Sequence, residues 1–191
     1  MRNIGDHLAR YRLIAATDYP RLQEALDSPV SIVLLMESTL QDVTSAEFRE
    51  ALRVKQILLH FDFLHGLSND HNALRFLKEH VHPSGIVSTR GPVIRSARKE
   101  GIATVQRVFL IDGKSFEKTI HSIKENNPDA VEVMPGIAPC MVPLFREKIE
   151  QPIILGGLIT TEEQVDEAFA QGADAVSLGT PSLWTHEPSR G

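Results

Sequence analysis

The stretch Ile153-Ile154-Leu155-Gly156-Gly157-Leu158-Ile159-Thr160-Thr161-Glu162-Glu163 decides the reading of this chain. It opens as a short buried strand, passes through a glycine pair, and enters a helix with a capping hydroxyl and acids in its first turn. Further on, Ala173-Asp174-Ala175-Val176-Ser177-Leu178-Gly179-Thr180 repeats the pattern: a strand, then a glycine and a hydroxyl. A β/α barrel builds its phosphate site from the loops after its last two strands. Glycine suits such a loop because a Cβ would block close approach of an anion to the backbone. Helix N-termini add unpaired N–H donors and a partial positive charge. Gly156, Gly157, Gly179 and Thr180 are therefore the candidate phosphate residues. The plainer reading of Gly156-Gly157 is a tight turn after a strand.

Outward from this stretch, apolar runs alternate with amphipathic ones along the whole chain. Strands are expected at Leu13–Ala16, Val30–Met36, Gln56–Asp62, Gly85–Ser88, Thr104–Leu110, Ala130–Met134, Ile153–Gly156 and Ala175–Leu178. These runs are nearly continuously apolar, which favours parallel strands covered on both faces. Helical patterns fall between them, near Tyr19–Asp27 with Thr17 or Asp18 as cap, then Asp42–Leu52 and Asp70–Glu79. Further patterns cover Pro92–Glu100, Ser115–Glu125 and Thr161–Gln171, with a helix start near Cys140. Eight strands alternating with seven helices predict an α/β protein, a compact TIM-like β/α barrel. A doubly wound open sheet would usually show one dominant glycine-rich turn near its start, and none occurs here.

The chain has 191 residues, 42% of them hydrophobic, which suits a single domain over residues 1–191 with a short C-terminal tail from about residue 181, anchored by Trp184. A typical barrel of this kind takes about 250 residues, so helices and loops must be trimmed. No apolar run long enough to cross a membrane and no basic-apolar leader is present, so neither membrane contact nor secretion is expected. The lone Cys140 excludes an intrachain disulfide and fits a cytoplasmic location. A formal net charge of −5 argues against bulk electrostatic binding of nucleic acid, so any RNA contact must be local.

In a barrel, ligand-facing residues sit at the C-terminal strand ends. Asp62 is there, either as an acceptor for ligand hydroxyls or as an acid bonding local backbone. His60, Asp62 and His65 also invite a metal reading, but no second Cys/His cluster supports one, and no metal or cofactor is expected. Glu132 lies inside an apolar strand, where a carboxylate is costly unless paired. Alternation turns it inward near Arg107, as an internal ion pair or as a ligand group. Arg95, Arg98 and Lys99 share a helix face in the one basic run. They form either a local RNA or anion surface or an ordinary solvated face. Asp70 is expected to cap a helix, and Cys140 to be inert.

Several motifs occur in one order at one spacing. They are His60-Phe61-Asp62-Phe63-Leu64-His65-Gly66-Leu67, Gly85-Ile86-Val87-Ser88-Thr89-Arg90, Gln106-Arg107-Val108-Phe109-Leu110-Ile111-Asp112, Glu132-Val133-Met134-Pro135-Gly136-Ile137 and Gly156-Gly157-Leu158-Ile159. Together they resemble the glycerol uptake operon antiterminators, bacterial regulators responsive to glycerol 3-phosphate. The resemblance runs from about Leu13 to Trp184. It implies a barrel that binds glycerol 3-phosphate as effector and then acts on leader mRNA of glycerol-utilisation genes, promoting antitermination. On this reading the chain is not an enzyme. By position, Gly156, Gly157, Gly179 and Thr180 would take the phosphate, Asp62 and Glu132 the glycerol hydroxyls, and Arg107 either. RNA would meet Arg95, Arg98 and Lys99, or a homo-oligomer pooling such patches. The rival reading is a phosphate-binding barrel enzyme, an isomerase or synthase acting on a small phosphorylated substrate.

Overall fold

A computed structural model describes Leu8 and residues 10–188. Eight strands, β1 (Leu13–Thr17), β2 (Ile32–Leu35), β3 (Gln56–His60), β4 (Gly85–Ser88), β5 (Thr104–Phe109), β6 (Ala130–Met134), β7 (Ile153–Gly156) and β8 (Ala175–Leu178), close into a barrel in chain order. Every pairing is parallel, and β8 returns to β1 with Leu13 opposite Val176. The TIM-like barrel expected from the alternating pattern is what forms.

The continuous apolar runs are explained by two separate clusters. Ile14, Leu34, Leu58, Ala130, Ile154 and Ala175 pack with one another and with Leu8 inside the barrel. Their strand neighbours Ala15, Leu35, Leu59, Val131, Leu155 and Val176 pack outward against the helices. Successive strand side chains point to opposite faces, so both sets must be apolar when both faces are covered.

The surrounding helices are α1 (Leu22–Asp27), α2 (Leu40–Thr44), α3 (Ala46–Val54), α4 (His71–Phe76), α5 (Gly91–Lys99), α6 (Gly113–Asn126), α7 (Val142–Arg146) and α8 (Glu162–Ala170). Several are little more than a turn, which is how the barrel fits this chain length. Local chemistry moved some boundaries. The helix expected over Asp42–Leu52 is broken at Ser45, whose extended backbone ends α2 and whose hydroxyl caps α3 by accepting from the Phe48 amide. Asp18 makes no capping bond, and a 3-10 turn, Tyr19–Arg21, leads into α1 instead. Asp70 caps α4 by accepting from the Ala73 amide, and the helix continues as a π-helical turn, Leu77–Val81. β3 stops at His60, so Asp62 stands in a 3-10 turn, Phe61–Phe63, rather than in the strand. Thr161 and Gln164 form a capping box at α8.

Past β8 the chain makes a 3-10 turn, Pro181–Thr185. Trp184 is buried there and donates its indole N–H to the Leu178 carbonyl at 2.7 Å.

Candidate functional site

Because all strands are parallel, their C-terminal ends converge on one mouth, and the inward-facing residue nearest each end lies in one layer. Counting by twos from the interior apolar cluster, that layer contains Met36, His60, Arg107, Glu132, Gly156 and Ser177. It is polar directly above an apolar core.

Arg107 and Glu132 are register partners on β5 and β6. Arg107 Nε donates to Glu132 Oε2 at 2.7 Å, and Nη2 reaches across to Met36 Sδ at 3.3 Å. The side chains are 4% and 1% exposed, so this ion pair is desolvated and depends on its mutual geometry. The other carboxylate oxygen, Glu132 Oε1, is buried without a partner. Gly156 gives it room: a Cβ at that position would stand 2.7 Å from Glu132 Oε1 and 3.1 Å from Ser177 Oγ.

His60 is buried and packs against Phe63, the rings tilted by 37° with centroids 4.7 Å apart. Neither ring nitrogen has a partner. Burial, reinforced by the Arg107 guanidinium and opposed by Asp62 and Glu132, lowers its pKa to about 4. The ring is therefore neutral at physiological pH, with one donor and one acceptor nitrogen unused.

Asp62 is fully engaged. One oxygen accepts from Ser88 Oγ at 2.6 Å and Arg90 Nε at 3.0 Å; the other accepts from the Thr89 amide and hydroxyl at 2.7 and 2.8 Å. Burial pushes its pKa up, but these hydrogen bonds outweigh it and hold the carboxyl below its usual value. Asp62 thereby pins the loop after β4. Arg90 keeps one buried nitrogen, Nη2, without a partner.

The phosphate candidates lie side by side on the rim, since Ser177 is the register partner of Gly156. The Gly136 amide donates to the carbonyls of Gly156 and Gly157 at 2.6 and 3.0 Å, tying the loop after β6 to the loop after β7. Gly157 has φ +81° and Leu158 has φ 64°. A left-handed leucine is uncommon, and this one is well exposed. Among the described residues, no acceptor is paired with the amides of Gly157, Gly179 or Thr180. A Cβ at Gly179 would meet nothing within 4 Å, so that loop borders open space.

Other candidates are dispersed. His65 bonds Glu37 at 3.1 Å, away from His60, and no group of three metal-capable side chains occurs among the described residues. On α5, Arg95 pairs with Glu125 and Asn126, and Arg98 with Asp129 at 2.8 Å, while Lys99 is exposed. Cys140 is exposed. A cavity of about 520 Å³ opens at the opposite, N-terminal end of the barrel, between Arg12, Val30, Trp184 and His186. Among the described residues, the unpaired buried side-chain atoms belong to the mouth, not to that cavity. Sequence reasoning passed over His60 as anything but a metal ligand, and Ser177 altogether. Their parity with Glu132, two residues beyond an interior apolar side chain, was the available signal.

The fold and the mouth define a closed parallel β/α barrel of the kind that presents polar groups to small ligands at its C-terminal end. The chain belongs to the glycerol-3-phosphate responsive antiterminator family, whose model matches residues 13–184. It is similar to the glycerol uptake operon antiterminator regulatory protein of Listeria monocytogenes, with 34% identity and a TM-score of 0.86 over 92% of this chain and 96% of that one. A glycerol uptake operon antiterminator-related protein of Thermotoga maritima gives 29% identity and a TM-score of 0.79 over 92% and 99%. An uncharacterized protein of Escherichia coli K12, YgcP, is 32% identical over 94% of this chain and 95% of its own length.

Proposed function

We propose that this chain is a non-enzymatic regulator that binds glycerol 3-phosphate at the barrel mouth and, so loaded, acts on leader mRNA to promote antitermination of glycerol-utilisation genes. The observation that carries the reading is the mouth itself: unpaired buried polar atoms on His60, Arg90 and Glu132 beside a glycine rim with free amides. Buried groups of this kind are nearly always satisfied, so a polar occupant is called for. The phosphate sits on the amides of Gly157, Gly179 and Thr180, with Gly156 and Asp62 organising the neighbouring loops. Arg107 and Glu132 meet the glycerol end. Glycerol 3-phosphate thus bridges the loops after β7 and β8, and the bridged state is the one that engages RNA. Such a switch requires different ligand affinity for two states.

RNA contact is assigned to the α5 face. Lys99 is exposed, and the Arg95 and Arg98 pairs are solvent-accessible enough to exchange a carboxylate for a phosphate. The protein works in the cytoplasm.

Calorimetric titration with glycerol 3-phosphate, glycerol and inorganic phosphate, repeated with a terminator-bearing leader RNA, tests this. Selective binding of glycerol 3-phosphate that tightens RNA binding is expected. RNA affinity that is the same with and without ligand removes the switch, and turnover of a triose phosphate would move the assignment to an enzyme.

A further inference from the structure

The mouth holds polar groups that a phosphate alone leaves unused. His60, Glu132 and Ser177 stand on three different strands but in one inward layer, below the rim loops of Gly157 and Gly179. Both His60 nitrogens and Glu132 Oε1 are without partners, and the residues are 2% and 1% exposed. Leaving three such atoms unsatisfied inside a protein is costly, and among the described residues no side chain bonds them.

The chemistry of these atoms is selective. Glu132 Oε1 accepts only, because Oε2 is held by Arg107 and the pair is charge-balanced. A neutral imidazole offers one donor and one acceptor. A phosphate oxygen has nothing to donate to Glu132 and would face a carboxylate at close range. A hydroxyl donates and accepts, so it satisfies either group. Gly156 keeps the space beside Glu132 Oε1 and Ser177 Oγ clear of a Cβ, which would stand 2.7 Å from the free oxygen.

We infer that His60 and Glu132 Oε1, with Ser177 Oγ beside them, form a hydroxyl-reading floor under the phosphate rim, specific for the vicinal-diol end of a small polyol phosphate. This deepens the ligand reading above and rests on it. It makes His60, rather than Asp62, the discriminating partner of Glu132: Asp62 has both oxygens committed to the loop after β4. The rim gives affinity for any phosphate ester; the floor sets which ester stays.

The test titrates the full chain by calorimetry with sn-glycerol 3-phosphate, 3-hydroxypropyl phosphate (no C2 hydroxyl), n-propyl phosphate (neither hydroxyl) and inorganic phosphate. Each missing hydroxyl is expected to cost the wild type about 10- to 100-fold in affinity, the effect of an orphaned buried group. His60→Leu should lose about tenfold of the preference for glycerol 3-phosphate over n-propyl phosphate, and His60→Asn, which keeps a donor and an acceptor, should recover part of it. If His60→Leu does not fold, the wild-type series and His60→Asn decide. Wild type that binds all three esters equally, or a His60→Leu variant with the full preference, overturns the hydroxyl floor while leaving the ligand reading intact. Wild type that binds no phosphate ester overturns both.

Discussion

Gly156→Ala is the most diagnostic single change in this barrel. The added methyl carbon would lie 2.7 Å from Glu132 Oε1, closer than side chains tolerate, and 3.1 Å from Ser177 Oγ, a tight contact. A surface glutamate would swing away at little cost. Glu132 has no such freedom, because Arg107 Nε holds its other oxygen at 2.7 Å and the pair is all but fully buried. Either the carboxylate turns and weakens the ion pair, or β7 shifts outward against α8. Overpacking of a buried site costs about 1–3 kcal/mol, and full loss of one partner of a buried pair about 3–5 kcal/mol. The distortion is partial, so about 2 kcal/mol is expected, or a fall in Tm of about 4–8 °C for a chain of this size. Urea unfolding monitored by the buried Trp184 measures it. The decisive arm is a double-mutant cycle with Glu132→Ala: once the carboxylate is gone, Gly156→Ala should cost under about 0.5 kcal/mol. A cost that is the same in both backgrounds would refute the argument, since it would place the need for glycine in the backbone rather than in the clearance of Glu132.

Arg107→Met should destabilise by about 3–5 kcal/mol, because it leaves the Glu132 charge buried and unpaired; the same unfolding assay checks it, and a loss under about 1 kcal/mol would refute the prediction. His60 has its folded pKa depressed to about 4 against an ordinary 6.5, so the unfolded chain binds the extra proton. Its contribution is therefore fully present above pH 6.5 and declines as pH falls towards 4, by up to about 3 kcal/mol across that window, and the decline should be absent in His60→Leu. Asp62, held below its usual value, contributes stability that is lost only at lower pH, as its own depressed pKa is approached. Trp184→Ala should cost about 3–5 kcal/mol by opening a cavity beside β8 and freeing the Leu178 carbonyl, and a near-neutral result would show the final turn to be dispensable.

The architecture was readable along the chain because barrel strands bury both faces. Runs such as Ile153-Ile154-Leu155 are apolar without alternation, and the same local rule repeats around the barrel. Caps were readable for the same reason: Asp70 and Thr161 act on amides three residues away, so the partners are fixed by the local sequence. Where prediction and structure part, the partner lies elsewhere in the chain or the backbone bends between elements. The hydroxyl of Ser45 splits a helix that periodicity runs together, and the turn Phe61–Phe63 lifts Asp62 off its strand.

The site divides along the same line. The inward turn of Glu132 and its proximity to Arg107 follow from strand alternation, and so does the placing of glycines at the ends of the last two strands. Sequence by itself determined the barrel, its polarity and the ring of residues at its mouth, because those depend on short-range periodicity. Only the tertiary structure decided which of those residues remain unpaired. Asp62 is committed to Ser88, Thr89 and Arg90, while His60 and one oxygen of Glu132 are left buried without partners below the mouth. Hydrogen-bond satisfaction is a property of side chains brought together from distant strands at ångström precision, and no local pattern encodes it.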